Sequence, residues 1–342
     1  MRCPFHMPRS RFIIQDRQRR GTGSFEPFFH STTHKRIPMM TFKRVVAITG
    51  CDSGLGWALA ARMSREGLIT VAGMYNGTDT EAARALRSLS VHPHQLDVTN
   101  PRSIANFHEY IKDLLSKNPD YKLYALVNNA GVMTIADFEV QTPKIIEETI
   151  NINLLGPMQM ASVFLPELRR NAIEGVVHPR IINVSSHCGM HPLPGFGPYS
   201  ASKAGLLAWT EALRLEFSNT GLGVTAFIPG GFVGSSNIMV TQTRNVRQIL
   251  DALSEEQKSY YEAKIRTLNN YLCRGSEKEN SYDALKDENI IETFMKALLD
   301  DRPKNLYKVE PWRYTFYYSL FKIPLPEFIY LWIINKFLCF PK

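Results

Sequence analysis

Tyr199 and Lys203 stand four residues apart in a helical-looking stretch, YSASK at 199–203, so both side chains fall on one face. A protonated lysine beside a phenol favours the phenolate and lowers a pKa that is otherwise about 10. A general base acting near neutral pH requires that shift. A second feature is Thr49-Gly50-Cys51-Asp52-Ser53-Gly54-Leu55-Gly56, which follows a short β-branched run and opens a helical one. Glycines in such a turn let the backbone approach a pyrophosphate, and the helix N-terminus supplies free N–H groups and partial positive charge. The spacing is G-x-x-x-G-x-G rather than the G-x-G-x-x-G fingerprint, and a glycine trio alone also fits an ordinary tight turn. Asn128-Asn129-Ala130-Gly131, Ser186 and Pro229-Gly230 complete the set. Each of these residues singly is more often structural; their order is what points to chemistry.

Short apolar strands alternating with helices must position these residues. Val45–Ile48 is followed by a helical stretch at Trp57–Met63, then Leu68–Ala72, then a helix near 80–89. The alternation continues with His94–Val98, a helix near 101–116, Leu123–Val127, one long helix near 144–170, Arg180–Val184, a helix at 199–218 and Gly223–Ile228. This pattern predicts a parallel sheet covered on both faces, a doubly wound α/β domain. After Gly231 the strand pattern stops. Residues 240–300 are charged and helical in rhythm; they fit a lid over the carboxyl ends of the strands, and equally a solvated surface helix pair.

Composition narrows the class. The 342 residues are 44% hydrophobic and 21% charged, which excludes disordered, collagen-like and disulfide-scaffold proteins. No apolar run reaches the ~18 residues of a spanning helix, which excludes a polytopic membrane protein. The net charge of +8 is concentrated: residues 1–43 hold nine Lys or Arg against two acids, a net +7, which leaves +1 for the other 299 residues. The basicity therefore belongs to a tail, and nucleic-acid binding by the folded body is not expected. That tail reads as a transit peptide, or else as a disordered extension or an over-long gene model whose natural start is Met39 or Met40. Cys3, Cys51, Cys188, Cys273 and Cys339 show no C-x-x-C pair and no metal-ligand spacing; they indicate a reduced compartment, buried or idle thiols, and no metal site. Tyr314–Phe340 is rich in aromatic and aliphatic residues broken by Lys322, Pro324, Pro326, Glu327 and Lys336. It reads as a membrane-interface segment, favoured over a helix that packs on the domain or closes a pocket.

TGCDSGLG at 49–56, NNAG at 128–131, NLLG at 153–156, NVSS at 183–186, YSASK at 199–203 and PG at 229–230 together resemble the short-chain dehydrogenase/reductase family over about residues 44–236. The TGCDSG variant and the NLLG step are similar to the branch holding retinol dehydrogenases, hydroxysteroid dehydrogenases and D-β-hydroxybutyrate dehydrogenase. Residues 302–326 look less closely like that branch's segment before its apolar tail. The resemblance implies a Rossmann-like dehydrogenase domain over residues 44–311 with a helical substrate lid, then an apolar C-terminal segment at 312–342.

The resemblance also implies roles. Tyr199 would be the general acid/base, Lys203 would hold the nicotinamide ribose, and Ser186, thirteen residues before Tyr199, would orient the substrate oxygen. Asn153 would complete a catalytic tetrad by holding a water near Lys203. Gly50, Ser53, Gly54, Leu55 and Gly56 would line the diphosphate and ribose. Asp97 and Val98 would meet the adenine; Asn129, Ala130 and Gly131 the adenosine ribose side; Pro229 and Gly230 the nicotinamide end. Two places depart from the family. Where an acid selects NAD or an arginine accepts the NADP phosphate, the chain has Met74-Tyr75-Asn76, with no basic residue there or at Cys51, Asp52 and Ser53; NAD is expected over NADP. Where a threonine often contacts the carboxamide stand Gly234 and Ser235.

The function so implied is hydride transfer between NAD(H) and a lipophilic alcohol or carbonyl, a steroid or retinoid first. The alternatives are a D-β-hydroxybutyrate-type hydroxy acid, which needs a fixed cation in the pocket, and a non-catalytic NAD-binding redox sensor. The partners expected are a lipophilic small molecule and, through the C-terminal tail, a membrane surface, with no nucleic acid. A homo-oligomer is compatible with the family, and the location favoured is the endoplasmic reticulum membrane, with the mitochondrion as the alternative.

Overall fold

Four consecutive apolar residues that are all buried must be covered on both faces, and Val45, Val46, Ala47 and Ile48 are wholly buried. They form the middle of β1 (Lys43–Thr49), followed by β2 (Ile69–Met74), β3 (His92–Gln95), β4 (Tyr121–Asn128), β5 (Arg180–Val184), β6 (Gly223–Ile228) and β7 (Leu306–Lys308). The computed structural model describes residues 42–175, 177–230, 238–273 and 281–338. The basic extension apart from Phe42 and Lys43, together with Gly234, Ser235, Cys3 and Cys339, lies outside them. Among the described residues the strands form one sheet in the order β3-β2-β1-β4-β5-β6-β7, each neighbouring pair parallel.

Eleven helices accompany the strands among the described residues: α1 (Gly54–Arg65), α2 (Glu81–Ser88), α3 (Pro101–Lys117), α4 (Pro143–Ile150), α5 (Gly156–Ile173), α6 (Gly197–Glu216), α7 (Ile238–Ala252), α8 (Glu255–Cys273), α9 (Glu288–Leu299), α10 (Trp312–Leu320) and α11 (Glu327–Leu338). The period-2 alternation of strands divides the core in two. Val46, Ile48, Ala72, Val127 and Phe227 point to a layer shared with α1, α2 and α9. Val45, Ala47, Val71, Leu126 and Ile181 point to the other, filled by Phe107 of α3, Phe164 of α5 and Leu213 of α6. β1 lies between β2 and β4, so the crossovers leave it in opposite directions. That reversal opens a crevice at the carboxyl ends of β1 and β4.

Four sequence expectations shift. The strand expected at 94–98 is β3, at His92–Gln95. A seventh strand, β7, stands beside β6 after the point where the strand pattern was expected to stop; its three residues carry no periodicity. The single helix expected at 144–170 is divided by a π turn at Asn151–Leu155, a distortion that recurs at functional sites. Finally, α9 is no surface helix: Ile290, Ile291, Phe294, Met295, Ala297 and Leu298 are buried, with Phe294 edge-on to Phe227 at 5.3 Å. Phe294→Ala is therefore expected to cost about 3–5 kcal/mol in urea unfolding. A loss below about 1 kcal/mol would mean that α9 is loosely seated.

Candidate functional site

The crevice brings the glycine-rich turn and the end of β4 into direct contact. The Thr49 hydroxyl accepts the backbone N–H groups of Asn129 at 3.0 Å and Ala130 at 2.9 Å. The Asn129 amide donates to the carbonyls of Thr49 at 2.9 Å and Gly50 at 3.0 Å. Asn129 thus braces the turn rather than leaving its amide open. The approach is so close that a Cβ on Gly56 would fall 2.1 Å from the Gly50 carbonyl oxygen, and one on Gly50, at φ +72°, 2.7 Å from Ala130 Cα. Gly54, at the start of α1, donates its N–H to the Tyr282 carbonyl at 3.0 Å, so that donor is already engaged. The Ser53 side chain makes no capping bond. Leu55 and Gly56 follow as the buried first turn of α1.

Along the crevice, Asp97 lies partly buried after β3, its carboxylate accepting from the Thr99 N–H at 2.9 Å and hydroxyl at 2.7 Å. It lines a cavity of about 560 Å³ with Tyr75, His94, Gln95, Asn100 and Arg102 among others. Val98 is buried against Gly156 of α5. At the other end, Pro229 and Gly230 follow β6, Gly230 close to the Val309 carbonyl.

Ser186, Tyr199 and Lys203 meet where the segment after β5 crosses the start of α6. The Ser186 hydroxyl accepts the Cys188 N–H at 3.2 Å and lies near enough to the Tyr199 phenol to favour its ionisation. Lys203, 5% exposed, donates to the Val184 carbonyl at 2.9 Å, and its Nζ stands 5.9 Å from the centre of the Tyr199 ring. The π turn carries Asn153 inward. Its side chain accepts from the Val132 N–H at 2.8 Å and donates to the Val132 carbonyl at 2.8 Å and the Ser202 hydroxyl at 3.1 Å. Gly131 lies beside Asn153 Oδ1 and Lys203 Nζ. All four tetrad candidates therefore converge; both N–H donors of Asn153 are committed to bracing Val132 and α6, and its Oδ1 keeps one acceptor place beyond the Val132 N–H.

The electrostatic expectation for the pair needs correction. Burial raises the Tyr199 phenol above its ordinary value, with Cys188 adding to the shift and Ser186 opposing it. Burial pushes Lys203 down to about 8. Burial acts on both groups in the same sense, because it penalises phenolate and ammonium alike. The lysine shift has a measurable sign. A buried lysine costs stability while it is charged, fully below about pH 8, and the cost recedes as pH rises toward the unfolded value of about 10.5. Lys203→Met is thus expected to raise the melting temperature of the cofactor-free protein more near pH 7 than near pH 10. An effect that does not vary with pH would show that Nζ is not desolvated.

Beside Tyr199 lies an apolar wall: Met133, Ile135, Leu193 and Phe196 from the loops, Leu268 and Leu272 from α8, and Phe321, Tyr330, Ile334 and Phe337 from the C-terminal segment. Gln242 latches α7 to the loop after β4, its side chain accepting the Ile135 N–H at 2.8 Å and donating to the Ile135 carbonyl at 2.9 Å. Asn245 adds a bond to Thr134 at 2.6 Å. Sequence reasoning missed both, because amides in a charged helix give no period or motif. From α10, Tyr318 stacks on His187 at 4.8 Å and on His191 at 4.9 Å, which seats the C-terminal segment on the loop that carries Ser186. Cys188 is in the same cluster, its thiol pushed up to about 11 by burial. Among the described residues no helix is long and apolar enough to cross a membrane.

The short chain dehydrogenase family model matches residues 44–245. The chain is 28% identical over 290 residues to mitochondrial D-beta-hydroxybutyrate dehydrogenase of Bos taurus, which covers 79% of this chain and 82% of that protein. It is 32% identical over 232 residues to estradiol 17-beta-dehydrogenase 2 of Rattus norvegicus, covering 66% and 58%, and 31% identical over 224 residues to retinol dehydrogenase 7 of the same species, covering 65% and 68%. In fold it is similar to a short chain dehydrogenase/reductase from Burkholderia phymatum solved in complex with NAD, with a TM-score of 0.60 at 21% identity over 78% of this chain and 89% of that one.

Proposed function

The chain belongs to the short-chain dehydrogenase family, oxidoreductases acting on CH–OH groups, and from that premise we propose that it transfers a hydride between NAD(H) and a lipophilic alcohol or carbonyl, a steroid or retinoid. The observation that carries this reading is the apolar wall beside Tyr199. A small hydroxy acid needs a fixed cation there, and four of the described lid cations are engaged with acids. Arg244 pairs with Glu148, Lys258 with Glu255, Lys264 with Asp137 and Arg266 with Glu262, while Arg247 is exposed. The similarity to D-beta-hydroxybutyrate dehydrogenase keeps the hydroxy acid as the second reading.

The residues of the crevice fit a dinucleotide. The Ser53 hydroxyl, which makes no capping bond, Gly50, Leu55 and Gly56 would hold the diphosphate, where the two glycines admit close approach. Gly54 would shape the turn. Asp97 and Val98 would border the adenine, Asn129, Ala130 and Gly131 the ribose side, and Pro229 and Gly230 the nicotinamide end. When bound, NAD supplies the hydride acceptor. In oxidation the Tyr199 Oη takes the hydroxyl proton of the substrate, which the Ser186 Oγ holds in place. Lys203, fixed on the Val184 carbonyl, bears on the ribose and the phenol, and Asn153 fixes the loop that faces them. Fixed positions and oriented polar groups are what such a site contributes to rate.

The tail has two sides. Phe321, Tyr330, Ile334 and Phe337 pack inward, while Trp312, Phe316, Phe328, Leu331 and Trp332 are exposed. We infer that this second face rests on a membrane surface, on the endoplasmic reticulum in preference to the mitochondrion. Nicotinamide absorbance with the full chain tests the enzymatic reading, offering NAD or NADP with steroids, retinol and β-hydroxybutyrate. Turnover of a steroid or retinoid with NAD is expected. Turnover of β-hydroxybutyrate alone would transfer the assignment to the second reading.

A further inference from the structure

The end of β2 offers nothing of its own to distinguish two dinucleotides, since Met74, Tyr75 and Asn76 carry neither acid nor base. The fold brings an acid there from elsewhere. Asp52, in the glycine-rich turn after β1, extends its carboxylate across to the end of β2. Oδ2 accepts the Tyr75 N–H at 2.8 Å and Oδ1 accepts the Asn76 N–H at 2.9 Å. Its neighbour Cys51 donates its N–H to the Gly73 carbonyl at 3.0 Å. From the other side Gln95 donates to the Tyr75 carbonyl at 2.8 Å. The carboxylate is therefore held in one place, on the backbone of Tyr75 and Asn76, and Tyr75 lines a cavity with Asp97 and Arg102.

We propose that Asp52 is the residue that selects the unphosphorylated adenosine ribose, doing from the glycine-rich turn what the end of β2 cannot. Two consecutive backbone N–H groups at a strand end make an anion-binding place, and here the chain's own anion occupies it. Each carboxylate oxygen keeps a lone pair beyond the one it uses, so a ribose diol, which only needs to donate, finds acceptors. A 2′-phosphate meets a fixed like charge and two donors already spent. Arg102, which lines the cavity with Tyr75, is the counter-candidate: a cation there could hold that phosphate. This inference rests on the proposed use of NAD.

The test measures dissociation constants of NADH and NADPH by nicotinamide fluorescence for the full chain and for Asp52→Asn, Asp52→Ser and Arg102→Ala, with melting temperatures as a check on folding. Native protein is expected to favour NADH. Both Asp52 variants are expected to move the NADPH/NADH ratio toward NADPH by on the order of tenfold, the size of one close charge interaction in partly solvated surroundings, and Arg102→Ala to leave it unchanged. An unchanged ratio in folded Asp52 variants, or equal loss of both dinucleotides, would overturn the inference and leave the NAD reading standing. A native preference for NADPH that disappears in Arg102→Ala would overturn the NAD reading itself, and the role of Asp52 with it.

Discussion

Tyr199→Phe is expected to lower kcat by about 10²–10⁴-fold, the range that a positioned acid/base contributes, while the dissociation constant for NADH stays within about twofold. The phenylalanine ring keeps the packing against the apolar cluster that holds Tyr199, so only the hydroxyl and its contact with Ser186 are lost. A transition-state effect of this kind appears in kcat with binding preserved. Steady-state rates alongside NADH titration separate the two. Native turnover that survives the substitution would remove Tyr199 from the proton path. A native protein that binds NADH tightly and turns over no alcohol, unaltered by the substitution, would favour a redox sensor.

Gly56→Ala carries the second large effect, and its cause is steric. The added Cβ would stand 2.1 Å from the Gly50 carbonyl oxygen and 2.5 Å from Asn129 Nδ2. One is backbone, and the other is fixed by bonds to the Thr49 and Gly50 carbonyls. Neither can move without parting the turn from the end of β4. Overpacking of this kind costs about 1–3 kcal/mol, measurable by urea unfolding. Affinity for NADH should fall by more than about a hundredfold, as a 1 Å misplacement of binding groups can do. A variant that binds NADH like the native chain would show that α1 is free to slide away from the turn.

The long alternation of apolar runs and helices was legible because β1, β2, β4, β5 and β6 are buried on both faces, which requires continuous apolar residues. The helices that cover them, such as α3 behind Asn100 and Pro101, carry their own start signals; the Asn100 side chain caps two N–H groups. The site was legible for a related reason. Tyr199 and Lys203 are one helical turn apart, and the glycine-rich turn must follow its strand directly, so both are patterns within a few residues. β7 and α9 were not legible. Three residues have no periodicity, and α9 looks amphipathic like any surface helix until the sheet covers Phe294 and Leu298.

The sequence by itself determined the alternation of strands and helices from β1 to α6 and β6 in outline, and which short motifs stand at the ends of those strands, because propensity, capping and close helical spacing act over a few residues. Only the tertiary structure decided the rest. It carried Asp52 across to Tyr75 and Asn76, turned Asn153 into a brace through a π turn, latched α7 through Gln242 and laid the C-terminal segment against Tyr199. It also buried Tyr199 and Lys203, and burial raises the phenol where the spacing alone predicts a lowered one. Each of these depends on residues distant in the chain and on how much water the fold removes from between them, and a charge answers to that environment before it answers to its neighbours in sequence.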